Sequence, residues 1–168
     1  SEPLLVPATT LDDVESYTGF ITDQIGEYIV IDGDGLETYG LSGVSFPHAS
    51  EPMAFMVWSP AEANIAASNF LPYSGDKCLI SFASVPDGSG AGNDDWLISP
   101  EIVGGTELSF YAAIADTQYP ESFEVLYSTT TQDRDAFTVL ASEMKTTQSW
   151  EQFTYTFPAD AKYFAIHY

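Results

Sequence analysis

Positively charged residues are nearly absent from this chain, which has 4 lysine and arginine residues against 25 aspartate and glutamate residues and a formal net charge of −21. Binding of nucleic acid requires lysine and arginine to neutralise phosphates, so this composition excludes nucleic acid as a partner. Docking on an anionic membrane surface is excluded for the same reason. A negative field attracts cations and basic partners, and it also keeps an exported protein in solution.

Long hydrophobic runs are missing too, because no stretch approaches the roughly 20 apolar residues of a membrane-spanning helix. We therefore expect no membrane insertion. The chain starts at the polar, proline-bearing Ser1-Glu2-Pro3 without a signal peptide, and we expect an export signal to have been removed. Residues 1–10 are assigned to an N-terminal extension or linker, and the protein to the cell surface or extracellular space.

Cysteine is represented only by Cys78, so no disulfide can form within the chain. Its neighbours are mostly apolar, which predicts a buried strand thiol that packs like a small hydrophobic residue. A nucleophilic thiol would need a positioned histidine, and neither His48 nor His167 lies in a recognisable catalytic motif. Serine-hydrolase elbows, His-Glu-x-x-His and Cys-x-x-Cys motifs are also lacking. We therefore expect no enzymatic activity.

Alternating apolar and polar residues dominate what the chain does contain. Gly, Pro, Asp and Ser bound these segments, a pattern typical of strands joined by short turns. The predicted strands cover residues 14–20, 27–31, 53–59, 77–83, 96–98, 107–114, 122–129, 136–141, 150–157 and 162–168. About ten short strands predict an all-β sandwich of two antiparallel sheets, formed by residues 11–168 as a single domain. Only residues 60–67 suggest one or two helical turns.

Alternation also predicts which strand faces are buried. Phe123, Val125 and Tyr127 share one face of a strand whose other face is expected in water, as do Phe153 and Tyr155 in a later strand. Residues 108–114 are apolar nearly throughout. They predict a central strand that is covered on both sides.

Two acidic clusters are candidate cation sites: Asp32-Gly33-Asp34-Gly35 and Asn93-Asp94-Asp95. Carboxylates on tight turns suit calcium, which takes oxygen ligands. The first cluster is no EF-hand, because Leu36 occupies the fifth position and flanking helices are lacking. A site would have to be assembled across loops, with Glu15 as a further ligand. The alternative is that Asp-Gly pairs simply make turns.

Aromatic residues near loops and strand ends are candidate ligand contacts, either as stacking platforms for sugars or as anchors for a protein partner. These residues are Trp58, Tyr73 and Tyr119. We expect Trp58 and Tyr119, which lie near Pro60 and Pro120, to be exposed. Trp96 and Trp150 are expected to fill the core, and His167 to be a satisfied strand histidine.

The segment NDDWLISPEI at residues 93–102 resembles the central signature of the cleaved-adhesin family, also described as the choice-of-anchor J domain. Other motifs follow in the expected order over residues 11–168. They are VES at 14–16, IVIDGDG at 29–35, SGDKCL at 74–79, GTELSFYA at 105–112, YPESFEVLYSTT at 119–130, SW at 149–150 and KYFAIHY at 162–168.

This resemblance implies a jelly-roll β-sandwich, similar to MAM and galactose-binding folds and to the adhesin modules attached to gingipain proteases. Such modules are secreted or surface-displayed in bacteria, have no catalytic site, and bind host proteins, haem proteins or glycans. They carry structural calcium on acidic positions that match Glu15, Asp32, Asp34, Asp94 and Asp95. The family also implies one more strand after residues 162–168. We expect this sequence to lack that strand, either because it was cut at Tyr168 or because a larger protein continues.

Three hypotheses follow. The first is an adhesin-like binding module, one domain of a larger protein, with structural Ca²⁺ and a host protein or glycan as partner. The second is a carbohydrate-binding module of a glycan-utilisation system, with Trp58 or Tyr119 as its platform. The third is a carboxylate-dependent hydrolase, in which two acids flank a glycosidic bond. Fold alone does not separate the first two.

Overall fold

The computed structural model describes residues 10–90 and 92–168, so most of the predicted N-terminal extension lies outside the described residues. The described strands, all short, are β1 (Ile29–Asp32), β2 (Met56–Trp58), β3 (Cys78–Ile80), β4 (Asp95–Ile98), β5 (Glu107–Ala112), β6 (Glu121–Ser128), β7 (Thr138–Lys145), β8 (Glu151–Thr156) and β9 (Tyr163–His167). Single 3₁₀ turns cover Ser68–Phe70 and Arg134–Ala136. Within these described ranges, no helix has the length and apolarity needed to cross a membrane.

The strands form an antiparallel sandwich. One layer is a five-stranded sheet in the order β1-β4-β9-β6-β7, and the two remaining pairs are β2–β3 and β5–β8. The β2–β3 pair packs on the β1–β4 half through a cluster that includes Phe55, Leu79 and Leu97. The β5–β8 pair packs on the other half around Val125 and Phe164. The predicted all-β sandwich is confirmed, with a second layer that consists of two separate two-stranded ribbons in the described chain.

Residues 14–20 do not form the predicted first strand. Val14 and Phe20 adopt positive φ angles of 67° and 65°, and the Asp12 carboxylate accepts a hydrogen bond from the Val14 amide at 3.0 Å. Such local bonds between a side chain and the backbone compete with strand pairing. Only the end of this segment joins a ribbon, where the Phe20 amide donates to the Val57 carbonyl at 2.7 Å.

Of the one or two helical turns predicted at residues 60–67, a single turn forms and no helix follows. The Ala63 amide donates to the Ser59 carbonyl at 3.1 Å, so a single turn forms. Asn64 then adopts a positive φ of 57°. A left-handed residue ends a helix, and here the next amide, that of Ile65, closes the turn by donating to the Pro60 carbonyl at 2.8 Å.

The burial of β5 and β6 is the reverse of the prediction. Side chains of β5 alternate between exposed and half-buried along its whole length, because this strand lies in an outer ribbon with one neighbouring layer. In β6, Val125 faces the sandwich core while Leu126 is buried on the opposite face with Trp96 and Phe137. The segment that carries Phe137 covers that opposite face. Burial on both sides therefore depends on an irregular segment that strand periodicity does not reveal.

Trp58 is fully buried, with 0% of its surface exposed, so its predicted exposure is wrong. Its ring lies edge-on to Phe46 at a centroid distance of 5.2 Å and contacts Phe20 and Phe82. The indole Nε1 donates to the Phe70 carbonyl at 3.0 Å. The irregular segment around Phe46 supplies this cover, so Trp58 cannot be a sugar platform.

Candidate functional site

Three of the predicted acidic residues meet at one end of the β1–β4 pair. Asp32 and Asp95 are directly opposite each other in the antiparallel register, and Asp34 lies in the turn that follows β1. One carboxylate oxygen from each of the three lies within 4.8 Å of the others. Among the residues that the structure describes, this is the group of acidic side chains with the geometry to hold a metal ion.

The turn after β1 is fixed by the same aspartates. The Asp32 Oδ1 atom accepts the Gly35 amide at 2.7 Å, and Asp34 Oδ1 accepts the Leu36 amide at 2.7 Å. Gly35 takes a φ of 66°, a conformation that glycine adopts without strain. The turn interpretation of the Asp-Gly pairs is therefore correct, and the turn itself uses only one oxygen of each carboxylate.

Asp95 is the buried member of the cluster, with 1% of its surface exposed. Ser81 donates a hydrogen bond to Oδ2 at 3.3 Å, but Oδ1 has no hydrogen-bond partner in the described part of the chain. Burial, and then the neighbouring charges of Asp34 and Asp32, raise the pKa of Asp95 to about 7. A buried carboxylate that lacks a partner is costly, and a cation is the group that relieves both the burial and the repulsion.

Asp34 connects the site to the segment between β3 and β4. Its Oδ2 atom accepts the Ser84 hydroxyl at 3.0 Å and the Asp94 amide at 3.0 Å. Asn93 completes this link, because its Oδ1 accepts the Ser84 amide at 2.6 Å. Sequence reasoning missed Ser81 and Ser84. Their position beside the acidic turn, in the segment between β3 and β4, is a tertiary feature without a motif.

Asp94 lies next to the cluster but turns away from it. Its Oδ2 accepts the Arg134 guanidinium at 2.8 Å, and its Oδ1 accepts Trp96 Nε1 at 2.6 Å and contacts His167 Nε2 at 3.0 Å. Burial acts to raise the pKa of Asp94, but the bonds from Trp96 and His167 and the Arg134 charge outweigh it and lower the pKa. These partners hold the Asp94 side chain, which is not among the three carboxylates whose oxygens converge, and adjacent residues of an extended chain point to opposite faces.

Glu15 is outside the cluster as well. Its Oε1 accepts the backbone amides of Asp76 and Lys77 at 2.8 and 3.1 Å, which closes the turn before β3. Gly75 in this turn has a φ of 69°. The carboxylate is thus occupied in holding the first segment of the chain to the β2–β3 ribbon.

The remaining aromatic candidates are on the surface. Tyr119 is 66% exposed and Tyr73 is 52% exposed, so the predicted exposure of Tyr119 is confirmed. Tyr73 stacks face to face on Tyr111 with a centroid distance of 3.7 Å and an interplanar angle of 9°. Trp150 lies edge-on to Tyr73, with the ring centroids 6.2 Å apart.

His167 and Cys78, the two residues considered for chemistry, both lie in environments that hold the fold together rather than activate the side chain. The His167 ring stacks on Trp96 at 4.2 Å, and its Nδ1 lies 3.4 Å from Glu124 Oε2, which is the satisfied strand histidine that was expected. Cys78 is half-buried in β3. Burial, and then the Glu15 charge, raise the pKa of this thiol to about 12, so it is protonated and unactivated at neutral pH.

By its fold, the protein is an all-β domain, an antiparallel sandwich. A carboxylate cluster lies at one end of its larger sheet. The chain belongs to the Cleaved Adhesin Domain family, whose profile matches residues 56–168. This match confirms the resemblance seen in the sequence. Asp95 lies inside the matched segment, and Asp32 and Asp34 precede it. A search of curated proteins finds no match.

Solved structures with the same fold are adhesin domains of Lys-gingipain. The K2 cleaved adhesin domain has a TM-score of 0.65 and 21% identity over 92% of this chain and 85% of that chain. The K3 domain from Porphyromonas gingivalis w83 has a TM-score of 0.56 and 25% identity over 89% and 82% of the two chains. The K1 domain from strain W83 has a TM-score of 0.56 and 23% identity, with 84% and 79% covered.

Proposed function

We propose that this chain is a non-catalytic, adhesin-like binding module of a secreted or surface-attached bacterial protein, with one structural Ca²⁺ held by Asp32, Asp34 and Asp95. The carrying observation is the buried Oδ1 of Asp95, which lacks a hydrogen-bond partner in the described chain and lies beside two further carboxylates. Membership of a family of adhesin domains supports the binding role.

The donor set favours calcium over other metals. All three side chains offer hard carboxylate oxygens, whereas zinc and copper sites use histidine or cysteine. Calcium accepts 6 to 8 oxygen ligands in irregular geometry, and magnesium demands a near-ideal octahedron. Two strand-end carboxylates, Asp32 and Asp95, beside one carboxylate from an irregular turn, Asp34, suit the more tolerant ion, with carbonyls and water as the remaining ligands.

The burial of Asp95 argues against the hydrolase hypothesis. The two catalytic acids of a glycosidase flank the glycosidic bond and must reach a bound sugar. Asp95 is 1% exposed, so its carboxylate is not accessible to a glycosidic linkage. Selected oxygens of Asp32, Asp34 and Asp95 lie within 4.8 Å of one another, a separation that one cation bridges with calcium–oxygen distances of about 2.3–2.6 Å.

Calcium would act on the fold rather than on a substrate. Asp32 ends β1, Asp95 begins β4, and Asp34 bonds the Ser84 hydroxyl. An ion shared by these residues joins three segments at one end of the sandwich. The module then presents a rigid surface to a host protein or glycan as one domain of a larger protein, in keeping with the origin of the similar structures.

Thermal unfolding in excess calcium and in EDTA tests this proposal. A ligand at 100 times its dissociation constant stabilises the folded state by about 2.7 kcal/mol, which raises the melting temperature by several degrees in a domain of this size. We expect the calcium-dependent rise to disappear in Asp95→Asn and to persist in Asp160→Asn, which removes a charge from an exposed turn. An equal rise in melting temperature in both variants would overturn the proposed site. In the wild-type chain, magnesium in place of calcium should give a smaller rise.

A further inference from the structure

The outer face of the β5–β8 ribbon carries little charge on a strongly acidic chain. Three cross-strand pairs on this face, all exposed, are Glu107 with Thr156, Ser109 with Thr154, and Tyr111 with Gln152. Five of these six side chains carry no charge, although the chain as a whole has a net charge of −21. We call the five uncharged residues together with Tyr73 the polar strip.

Side chains within the polar strip are already ordered by one another. The Gln152 Nε2 atom donates to Ser109 Oγ at 2.8 Å, and Ser109 Oγ lies 3.2 Å from Thr154 Oγ1. Each of these groups has further hydrogen-bonding capacity, since a hydroxyl offers one donor and two acceptor positions and an amide offers two donors and two acceptor positions. The strip therefore presents a fixed set of donors and acceptors to solvent.

An aromatic platform closes one end of the strip. Tyr73 comes from the turn before β3 and lies parallel to Tyr111 of β5, with ring centroids 3.7 Å apart. Trp150 supports Tyr73 from the side. The stack bridges the two ribbons of the second layer and keeps 52% of Tyr73 and 37% of Tyr111 exposed, so aromatic surface is available to a ligand.

We propose that the polar strip binds a neutral oligosaccharide, with Tyr73 and Tyr111 as the stacking platform and Gln152, Ser109 and Thr154 as hydrogen-bond partners of sugar hydroxyls. The proposal rests on the role of this chain as a binding module and adds the ligand class and the site. A sugar ring pairs an apolar C–H face with a rim of hydroxyls, and the strip offers an aromatic face beside a row of amide and hydroxyl groups.

Charge and composition separate a glycan from other ligands. Hot spots of protein–protein interfaces consist of apolar and aromatic anchors in desolvated pockets, often with arginine, whereas the strip is a flat row of neutral polar groups. Sulfated or sialylated glycans would meet a repulsive field from the net charge of −21. The four residue steps from Glu107 to Tyr111 span about 13 Å, which suits a short oligosaccharide rather than a monosaccharide.

The test is an array of neutral and acidic oligosaccharides probed with the full chain in calcium, followed by calorimetric titration of the strongest neutral ligand. We expect Tyr73→Ala and Gln152→Ala each to weaken binding about tenfold, and Tyr73→Phe to retain it. Tyr39→Ala is the matched control, since Tyr39 is 53% exposed in a different loop, and it should bind as the wild-type chain does.

Several results would overturn the site. These are no binding to any neutral glycan, binding confined to acidic glycans, or equal affinity of Tyr73→Ala and the Tyr39→Ala control. Melting curves of every variant establish that loss of binding is not loss of fold. The calcium-dependent melting shift is measured on the same samples. Failure of the glycan site with an intact calcium response therefore leaves the proposed function standing, whereas loss of the calcium response counts against the function itself.

Discussion

Asp32 and Asp95 lie directly opposite each other where β1 and β4 end their pairing, and the carboxylate of Asp95 is buried with one oxygen unpartnered in the described chain. Directly opposed like charges destabilise a sheet. Together with Asp34 in the following turn, this repulsive pair forms the candidate cation site.

The raised pKa of Asp95 should be visible in the pH dependence of the free energy of unfolding of the metal-free protein. Its pKa of about 7 in the folded state lies above its ordinary value of 3.8, so the folded state binds more protons than the unfolded state between these values. The free energy of unfolding should therefore fall as pH rises from about 4 to about 7, by up to about 4 kcal/mol at about 1.4 kcal/mol per pKa unit. Urea titrations in EDTA at pH 4 and pH 8 measure this change.

Asp95→Asn is the control for that titration, because other acidic groups also repel one another as pH rises. The variant should lose much of the decrease that wild type shows, and it should be more stable than wild type at pH 8 in EDTA. Parallel pH profiles for the two proteins would contradict a raised pKa at Asp95.

Asp94→Asn should separate the neighbouring acid from the cation site. The substitution removes the charge that pairs with Arg134 at 2.8 Å and weakens the bond from Trp96. We expect a stability loss of about 1–2 kcal/mol, the range for a charge-assisted hydrogen bond at a partly exposed position. The calcium-dependent melting shift should persist. A shift lost in Asp94→Asn would place Asp94 among the ligands.

Trp58 and Tyr119 should respond oppositely to truncation. Trp58→Ala should lower the free energy of unfolding by about 3–5 kcal/mol, because it opens a cavity in an aromatic core. Tyr119→Ala at an exposed turn should stay within about 0.5 kcal/mol of wild type. Denaturant unfolding of both variants checks the pair, and a small effect of Trp58→Ala would contradict the burial of that ring.

Cys78 should be unreactive in the folded protein. Its pKa of about 12 leaves almost no thiolate at pH 8, and the thiolate is the reactive species. Thiol titration with a disulfide reagent at pH 8 should proceed at the rate of unfolding and speed up in denaturant. Rapid labelling without denaturant would contradict this environment.

The sequence predicted most strand positions, because the alternation of apolar and polar residues and the turn residues are local signals. Nine predicted strands overlap observed ones, including the 162–168 segment that contains Tyr163–His167. The wrong strand at 14–20 also alternates, but Asp12 bonds its backbone and Val14 turns it. Local hydrogen bonding prevailed over periodicity there.

The sequence did not predict which side chains are buried by irregular segments that are distant in the chain. Trp58 is buried by Phe46 from an irregular segment, and Leu126 by Phe137. At the candidate cation site, the sequence identified Asp32, Asp34 and Asp95 by residue type and turn chemistry. It also included Asp94 and Glu15, although strand alternation alone argues that Asp94 points away from Asp95. Glu15 binds backbone amides 61 and 62 residues away, a pairing that only the fold creates.

The most direct test of the account is isothermal titration of calcium into the metal-free chain at pH 8, with Asp95→Asn and Asp160→Asn in parallel. The account predicts one saturable site per chain in wild type and in Asp160→Asn, and its loss in Asp95→Asn. Absence of a saturable site in wild type, or an unchanged site in Asp95→Asn, would contradict it.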